Sequence, residues 1–204
     1  MISEYEKAKL NMLTDLKLEC QHFFEQNGYT LEFGYCELLK DNLSSAKKIF
    51  ESIKDSDTRA KWALFMISTI EGDIKQYPTY FEIRNFLEID LNILMNHYKG
   101  NFVENIIRYA DFMYTINPEV HKFIGRALYN NGYEQQAMFF LERAKNYFYT
   151  DPELHYQLAY IYFLNGEYHK AQKSLEDCLN ILPEYFPAKN LISKISEIIN
   201  SNPL

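Results

Sequence analysis

Residues 158–183 read "LAYIYFLNGEYHKAQKSLEDCLNILP", and two local rules conflict over them. Residues 160–163 form a β-branched and aromatic run, followed at once by Asn165-Gly166, the strongest short-range signal for a β-hairpin. Beyond Gly166, however, the apolar positions fall at Tyr168, Ala171, Leu175, Cys178, Leu179 and Leu182. Those steps of three, four and one trace a single face of a helix. Whether Asn165-Gly166 turns a hairpin or joins two helices decides the fold.

A second copy of the stretch settles the conflict. Shifting the chain against itself by 34 residues aligns "NPEVHKFIGRALYNNGYEQQAMFFLERAKNYFYT", from Asn117, with "DPELHYQLAYIYFLNGEYHKAQKSLEDCLNILPE", from Asp151. Pro118 falls on Pro152, His121 on His155, Gly132 on Gly166, Ala137 on Ala171 and Leu141 on Leu175. Both segments open with Asn/Asp-Pro-Glu, a capped helix start with proline in the first turn. After Asn131-Gly132, Met138, Phe139, Leu141 and Ala144 again step helically. Each Asn-Gly is therefore expected to end a helix, with glycine in the left-handed cap, and the β-propensity of "AYIYF" is overridden.

On these residues the chain resembles the tetratricopeptide repeat (TPR) family. That family's 34-residue helix-turn-helix carries Trp-x₂-Leu-Gly-x₂-Tyr, then Ala-x₃-Phe, then Pro. The second copy here has His155-x₂-Leu158-Ala159-x₂-Tyr162, Ala171-x₃-Leu175 and Pro183. The first has His121-x₂-Ile124-Gly125-x₂-Leu128 and Ala137-x₃-Leu141, with Tyr149 in the proline position. Small residues (Gly125 or Ala159, Ala137 or Ala171) let paired helices approach, and large ones fill the gaps beside them. His for Trp and Leu for Phe depart from the pattern but keep that packing plan. Upstream, Gly34 and Ala46-x₃-Phe50 repeat the spacing of Gly125 and Ala137, and "HYKGNFVENIIRYADFMYTI" looks like a turn and second helix with Gly100 at the turn.

The resemblance implies an all-α, TPR-like α-solenoid of about eleven antiparallel helices, a right-handed superhelix with a terminal capping helix, formed as one array over 1–204. Its expected parts are an amphipathic helix in 1–26, degenerate repeats over 27–116, repeats at 117–150 and 151–184, and a cap at 185–200. Leu13, Leu16, Cys20 and Phe23 would share one face of the first helix. In the cap, Leu191, Ile192, Ile195 and Ile198 would face the last repeat, as an open solenoid end requires. The degenerate region breaks near 72–78, ahead of a long helix over roughly 79–99, where landmark spacing is not a whole number of repeats.

Composition narrows the function. Only seven Gly and six Pro in 204 residues disfavour strand-and-turn architectures. A net charge of −7, spread without a basic stripe, argues against nucleic-acid or anionic-membrane partners. The three cysteines, Cys20, Cys36 and Cys178, are widely spaced and fit no metal or disulfide pattern, so reduced buried thiols are expected. "MISEYEKAKLNML" puts charges where a signal peptide needs an apolar core, and the longest apolar run, 62–67, is far too short for a span. A cytoplasmic protein is expected, with no membrane or nucleic-acid role.

No catalytic or cofactor motif is present: no Gly-rich phosphate loop, His-Glu-x-x-His, Gly-x-Ser-x-Gly or Cys/His metal spacing. His121 and His155 recur at equivalent positions and are expected to pack in the family's Trp slot. A metal site or enzymatic role resting on that pair is a remote alternative. The resemblance points instead to the concave face, where the first helix of each pair receives a protein or peptide partner. Lys122, Arg126, Tyr129, Asn130, Tyr156, Tyr160 and Phe163 are the candidate binding residues. Tyrosines supply contact area at low entropic cost, and Lys122 with Arg126 would hold a partner carboxylate. Leu87, Asp90, Leu94 and Tyr98 would extend that surface upstream, whereas Tyr162 would pack between helices. The expected function is a non-enzymatic adaptor or scaffold without cofactors. The competing expectation is a small acidic secretion chaperone of TPR type, dimerising through its N-terminal helix.

Overall fold

The computed structural model describes residues 2–14 and 18–201, and among them all regular structure is α-helical. Thirteen helices follow one another: α1 (Glu4–Thr14), α2 (Leu18–Gln26), α3 (Thr30–Leu39), α4 (Leu43–Ile53), α5 (Thr58–Glu71), α6 (Tyr80–Asn96), α7 (Gly100–Arg108), α8 (Ala110–Ile116), α9 (Val120–Asn130), α10 (Glu134–Lys145), α11 (Pro152–Leu164), α12 (Tyr168–Ile181) and α13 (Phe186–Ser201). Two expected helices are each divided, which accounts for the excess over eleven. The N-terminal helix is really α1 and α2 folded together. The Cys20 thiol donates to the Ala8 carbonyl across 3.1 Å, although twelve residues of one straight helix would span about 18 Å. Ala8, Met12, Cys20 and Phe24 are buried there, while Leu13 and Phe23 are half-buried; Leu16 lies outside the described residues. Downstream, Tyr109 interrupts the ladder between α7 and α8.

The turn that opened the question joins two helices. Gly166 has φ of 75° between α11 and α12, and Gly132 has φ of 80° between α9 and α10. At both, the residue after glycine donates its N–H to a carbonyl five positions back, over 2.9 Å, the bond that closes a Schellman cap. The same bond recurs after Asp41 and Tyr98, whose φ values are 64° and 57°. Tyr98 precedes Gly132 by the repeat length, so the turn before α7 is in register with the two clear repeats. Gly100, expected at that turn, is instead the first residue of α7. Tyr98 holds the left-handed position without glycine's freedom, at a cost of about 1–2 kcal/mol. Asp41 is out of step with the series, and α5 with the following loop makes up the irregular spacing.

The chain divides into two compact units, Met1–Ala127 and Leu128–Leu204. In the first, α3 and α4 pack closely because Gly34 lies under the Phe50 ring: a Cβ at Gly34 would sit 2.5 Å from Phe50 Cε1. Phe50 is fully buried against Tyr35, at 5.5 Å between ring centroids, and has no room to retreat. Gly34→Ala is expected to cost about 1–3 kcal/mol through overpacking, read as a lower urea midpoint with unchanged slope.

Around Trp62, Met66, Ile83, Leu87, Leu91, Leu94, Ile106 and Met113 lies the rest of that core. The expected upstream surface is therefore corrected. Leu87, Asp90 and Leu94 are at most 1% exposed, because α1, α5 and α7 cover this stripe of α6, and only Tyr98 faces solvent. Asp90 is tolerated there by a closed network. It accepts from the Tyr35 hydroxyl at 2.7 Å and from the Arg59 guanidinium, and Arg59 Nε donates to the Tyr35 hydroxyl at 3.0 Å. The guanidinium carbon also sits 4.8 Å from the centre of the Tyr35 ring. Three helices, α3, α5 and α6, meet at these three side chains.

In the second unit the Asp151 carboxylate caps α11, accepting from the Glu153 and Leu154 amides, with Pro152 in the first turn. Ala159 and Ala171 are fully buried between α11 and α12, the close approach the sequence called for. Leu175, Cys178, Ala188, Leu191 and Ile195 continue this core into α13, whose Ile192 packs at its margin.

A partner-binding surface candidate on the second unit

Along α11, side chains three and four apart share a face, and Tyr156, Tyr160 and Phe163 fall on one; Tyr160 is its exposed member, while Phe163 also meets Tyr168 of α12 at 5.9 Å. Tyr156 and Tyr160 lie 6.3 Å apart, Tyr160 and Phe163 6.4 Å apart, and Tyr185 meets Tyr156 edge-on at 5.4 Å. Tyr129, half-buried, packs against the cluster that includes Leu154, Leu158 and Ile161 at the side of this strip, and burial first, with Tyr160 and Tyr156 after it, raises its phenol. The structure thus brings together Tyr129, Tyr156, Tyr160 and Phe163. Asn130 is exposed at the end of α9. Lys122 and Arg126 belong to the first unit, and each already meets a carboxylate of the chain. Lys122 Nζ lies 3.4 Å from Glu119, and Arg126 Nε lies 3.2 Å from Glu88.

Hydroxyl bonding separates two kinds of tyrosine. Tyr5, Tyr35 and Tyr162 each donate to a carboxylate, of Glu32, Asp90 and Glu142 respectively. The hydroxyls of Tyr129, Tyr156, Tyr160 and Tyr185 have no hydrogen-bond partner among the described residues. Burial raises Tyr129, Tyr156 and Tyr185 above the ordinary phenol value, which keeps them protonated donors. A half-buried donor without an acceptor is a feature of surfaces completed by water or by a partner.

The strip continues onto α13 through residues that sequence reasoning did not select. Tyr156, Phe186, Pro187, Asn190, Leu191 and Lys194 line an open depression of about 410 Å³. Phe186 is 69% exposed at its rim, and Lys194 Nζ lies 5.0 Å from the centre of the Phe163 ring. The signal was present: one more step of 34 carries Lys122 and Tyr156 to Asn190, and Arg126 and Tyr160 to Lys194. Treating α13 only as a cap concealed it.

The two repeat histidines are core residues, 3% and 4% exposed. His121 stacks on Tyr114 at 4.6 Å, and His155 Nε2 donates to the Tyr149 carbonyl at 2.8 Å. Among the described residues no three His, Cys, Asp or Glu side chains converge as metal ligands. No helix among them is long and apolar enough to cross a membrane. Burial raises Cys178 to about 11 and Cys36 further still.

Tyr162, by contrast, ties α11 to α10. Burial raises its hydroxyl well above 10, and its bond to Glu142 adds to that; burial alone would raise Glu142, but Tyr162 and Lys145 outweigh it and lower it. A lowered carboxylate stabilises the fold above its ordinary value and loses this as pH falls through its folded value. A raised phenol does so below its ordinary value and loses it as pH rises above. The pair therefore stabilises between about pH 4.5 and 10. Tyr162→Phe is expected to cost about 1 kcal/mol at pH 7, less than a fully buried charged bond because Glu142 is partly exposed. The difference from the unaltered protein should shrink below pH 4.5 in urea unfolding followed against pH.

No curated protein matches the chain. Among solved structures, it is similar to the MamA protein, at 17% identity and a TM-score of 0.48, over 85% of this chain and 82% of that one. It is also similar to the C-terminal part of a TPR repeat-containing protein from Cytophaga hutchinsonii, at 17% identity and a TM-score of 0.49, over 94% and 70% of the two chains. The family model described as tetratricopeptide repeat matches residues 152–185, which are α11, α12 and the turn at Gly166. Residues 152–185 are therefore similar to one tetratricopeptide repeat, and they are the second of the two copies set 34 residues apart.

Proposed function

We propose that the protein is a non-enzymatic interaction module that binds a protein or peptide segment on the aromatic face of its second unit. Tetratricopeptide repeats generally mediate protein–protein interaction. One observation carries the assignment to this face: four tyrosines share it, each with a hydroxyl that has no acceptor among the described residues. Aromatic anchors with a polar tip concentrate binding energy, and their few side-chain torsions limit the entropy lost on docking. Tyr156 and Tyr160 are the anchors, Phe163 and Tyr129 their flanks. Lys122 and Arg126 are better read as ion pairs of the first unit than as ligands for a partner.

A peptide-display selection on the whole protein tests this. Recovered peptides should bind the unaltered chain and lose binding to Tyr156→Ala/Tyr160→Ala, with the circular dichroism of the variant unchanged. Peptides indifferent to the double substitution would overturn the assignment. Dimerisation through the N-terminal helix, which a secretion chaperone would use, is less supported, since Ala8 and Met12 of α1 are buried in the chain's own core.

A further inference from the structure

We infer that this surface selects a segment carrying an apolar side chain beside an acidic residue, the first seated in the α11–α13 depression and the second held by Lys194. The inference rests on the aromatic face being the partner-binding surface. Its chemistry follows from which groups on that face are already satisfied. Lys189, on the same helix as Lys194, is 2.8 Å from Glu184, and elsewhere in the second unit Lys145 and Lys170 are paired with Glu142 and Glu167. Among the described residues Lys194 has no carboxylate partner; its ammonium lies over the Phe163 ring, and it is the charged side chain lining the depression.

An ammonium on an aromatic face retains its hydrogen-bonding capacity toward an incoming oxyanion. Tyr156 also lines the depression, and its hydroxyl is a second donor with no acceptor among the described residues. The floor and rim are apolar: Leu191 is 7% exposed, Pro187 lies beside it, and Phe186 stands out into solvent. Donors at one edge and hydrocarbon below fit a carboxylate next to an aliphatic or aromatic side chain. A basic segment would set its charge against Lys194. Glu153, on the first turn of α11, acts on Tyr185 at the other end of the strip. Lys194 therefore marks the end of the face suited to an acidic residue.

The test is the charge-swap form of the same selection, with a nine-residue display library on the full chain. Peptides recovered on the unaltered protein should be enriched in Asp or Glu adjacent to Phe, Tyr, Leu or Ile. Lys194→Glu should replace that enrichment with Lys or Arg. Lys194→Met, which keeps the hydrocarbon over Phe163, should weaken a representative acidic peptide about tenfold and flatten its salt dependence. Lys194 is exposed and its charge supports no contact in the core, so both variants should fold as the unaltered chain does. Peptides that require Tyr156 and Tyr160 but show no acidic preference, or keep it in Lys194→Glu, would overturn this inference and leave the binding surface standing. Peptides that ignore Tyr156 and Tyr160 would remove the surface itself, and this inference with it.

Discussion

Asp90→Ala is expected to destabilise the protein by about 3–5 kcal/mol, the largest effect of any single substitution considered. Burial raises the Asp90 carboxyl above its ordinary range, and Arg59 and Tyr35 only partly pull it back. The ion pair is thus no great source of stability in itself. The damage comes from what the substitution leaves behind. Arg59, with a side chain only 22% exposed, would keep its charge among apolar neighbours, and the Tyr35 hydroxyl would lose its carboxylate acceptor. Replacing all three at once, as Tyr35→Phe/Arg59→Met/Asp90→Leu, removes the uncompensated groups together and should recover most of the loss. Urea unfolding of the two variants separates these outcomes. Equal losses in both would mean that the network is favourable as a whole, rather than costly only when broken.

The second large effect is on binding. Tyr156→Ala/Tyr160→Ala should weaken a partner segment by about 100-fold or more, in the range of 3–4 kcal/mol for two adjacent anchors. The two rings are coupled, 6.3 Å apart, and each single substitution exposes a side of the other, so the losses should not add simply. Stability should change far less than binding, because Tyr160 is 36% exposed and Tyr156 packs only at the margin of the core. Isothermal titration gives the affinity, and thermal unfolding separates lost contacts from lost fold. A variant that melts early but binds normally would assign these rings to packing.

The last two repeats were legible in the sequence because they keep the residues that close packing cannot do without. Ala137, Ala159 and Ala171 have no room for more than a methyl group, and Gly132 and Gly166 adopt a backbone that other residues resist. Upstream the same turn is made by Asp41 and Tyr98, so no glycine marks it, and Gly100 lies two residues past the register. The stripe of α6 was misread for a related reason. Asp90 marks a surface by residue type, and nothing local reveals Arg59, 31 positions earlier, or Tyr35, 55 positions earlier. Lys122 and Arg126 read from sequence as holders of a partner carboxylate because Glu88, which meets Arg126, comes from a different helix. In the candidate site, the α11 aromatics were legible from helical spacing. Their α13 neighbours were accessible to the same 34-residue step but were set aside as a terminal cap.

The Tyr35–Arg59–Asp90 network also bears on the order in which the first unit assembles. The Gly166 turn closes between residues five positions apart and needs only its own two helices. Tyr35 and Asp90 meet only after α3, α4, α5 and the middle of α6 have been gathered, and that long loop is slow to close. A regular array of hairpins opens one pair at a time from its ends. With three of its helices tied at one buried point, the first unit is expected instead to open as a block, with amide protons in α3, α5 and α6 exchanging with solvent together.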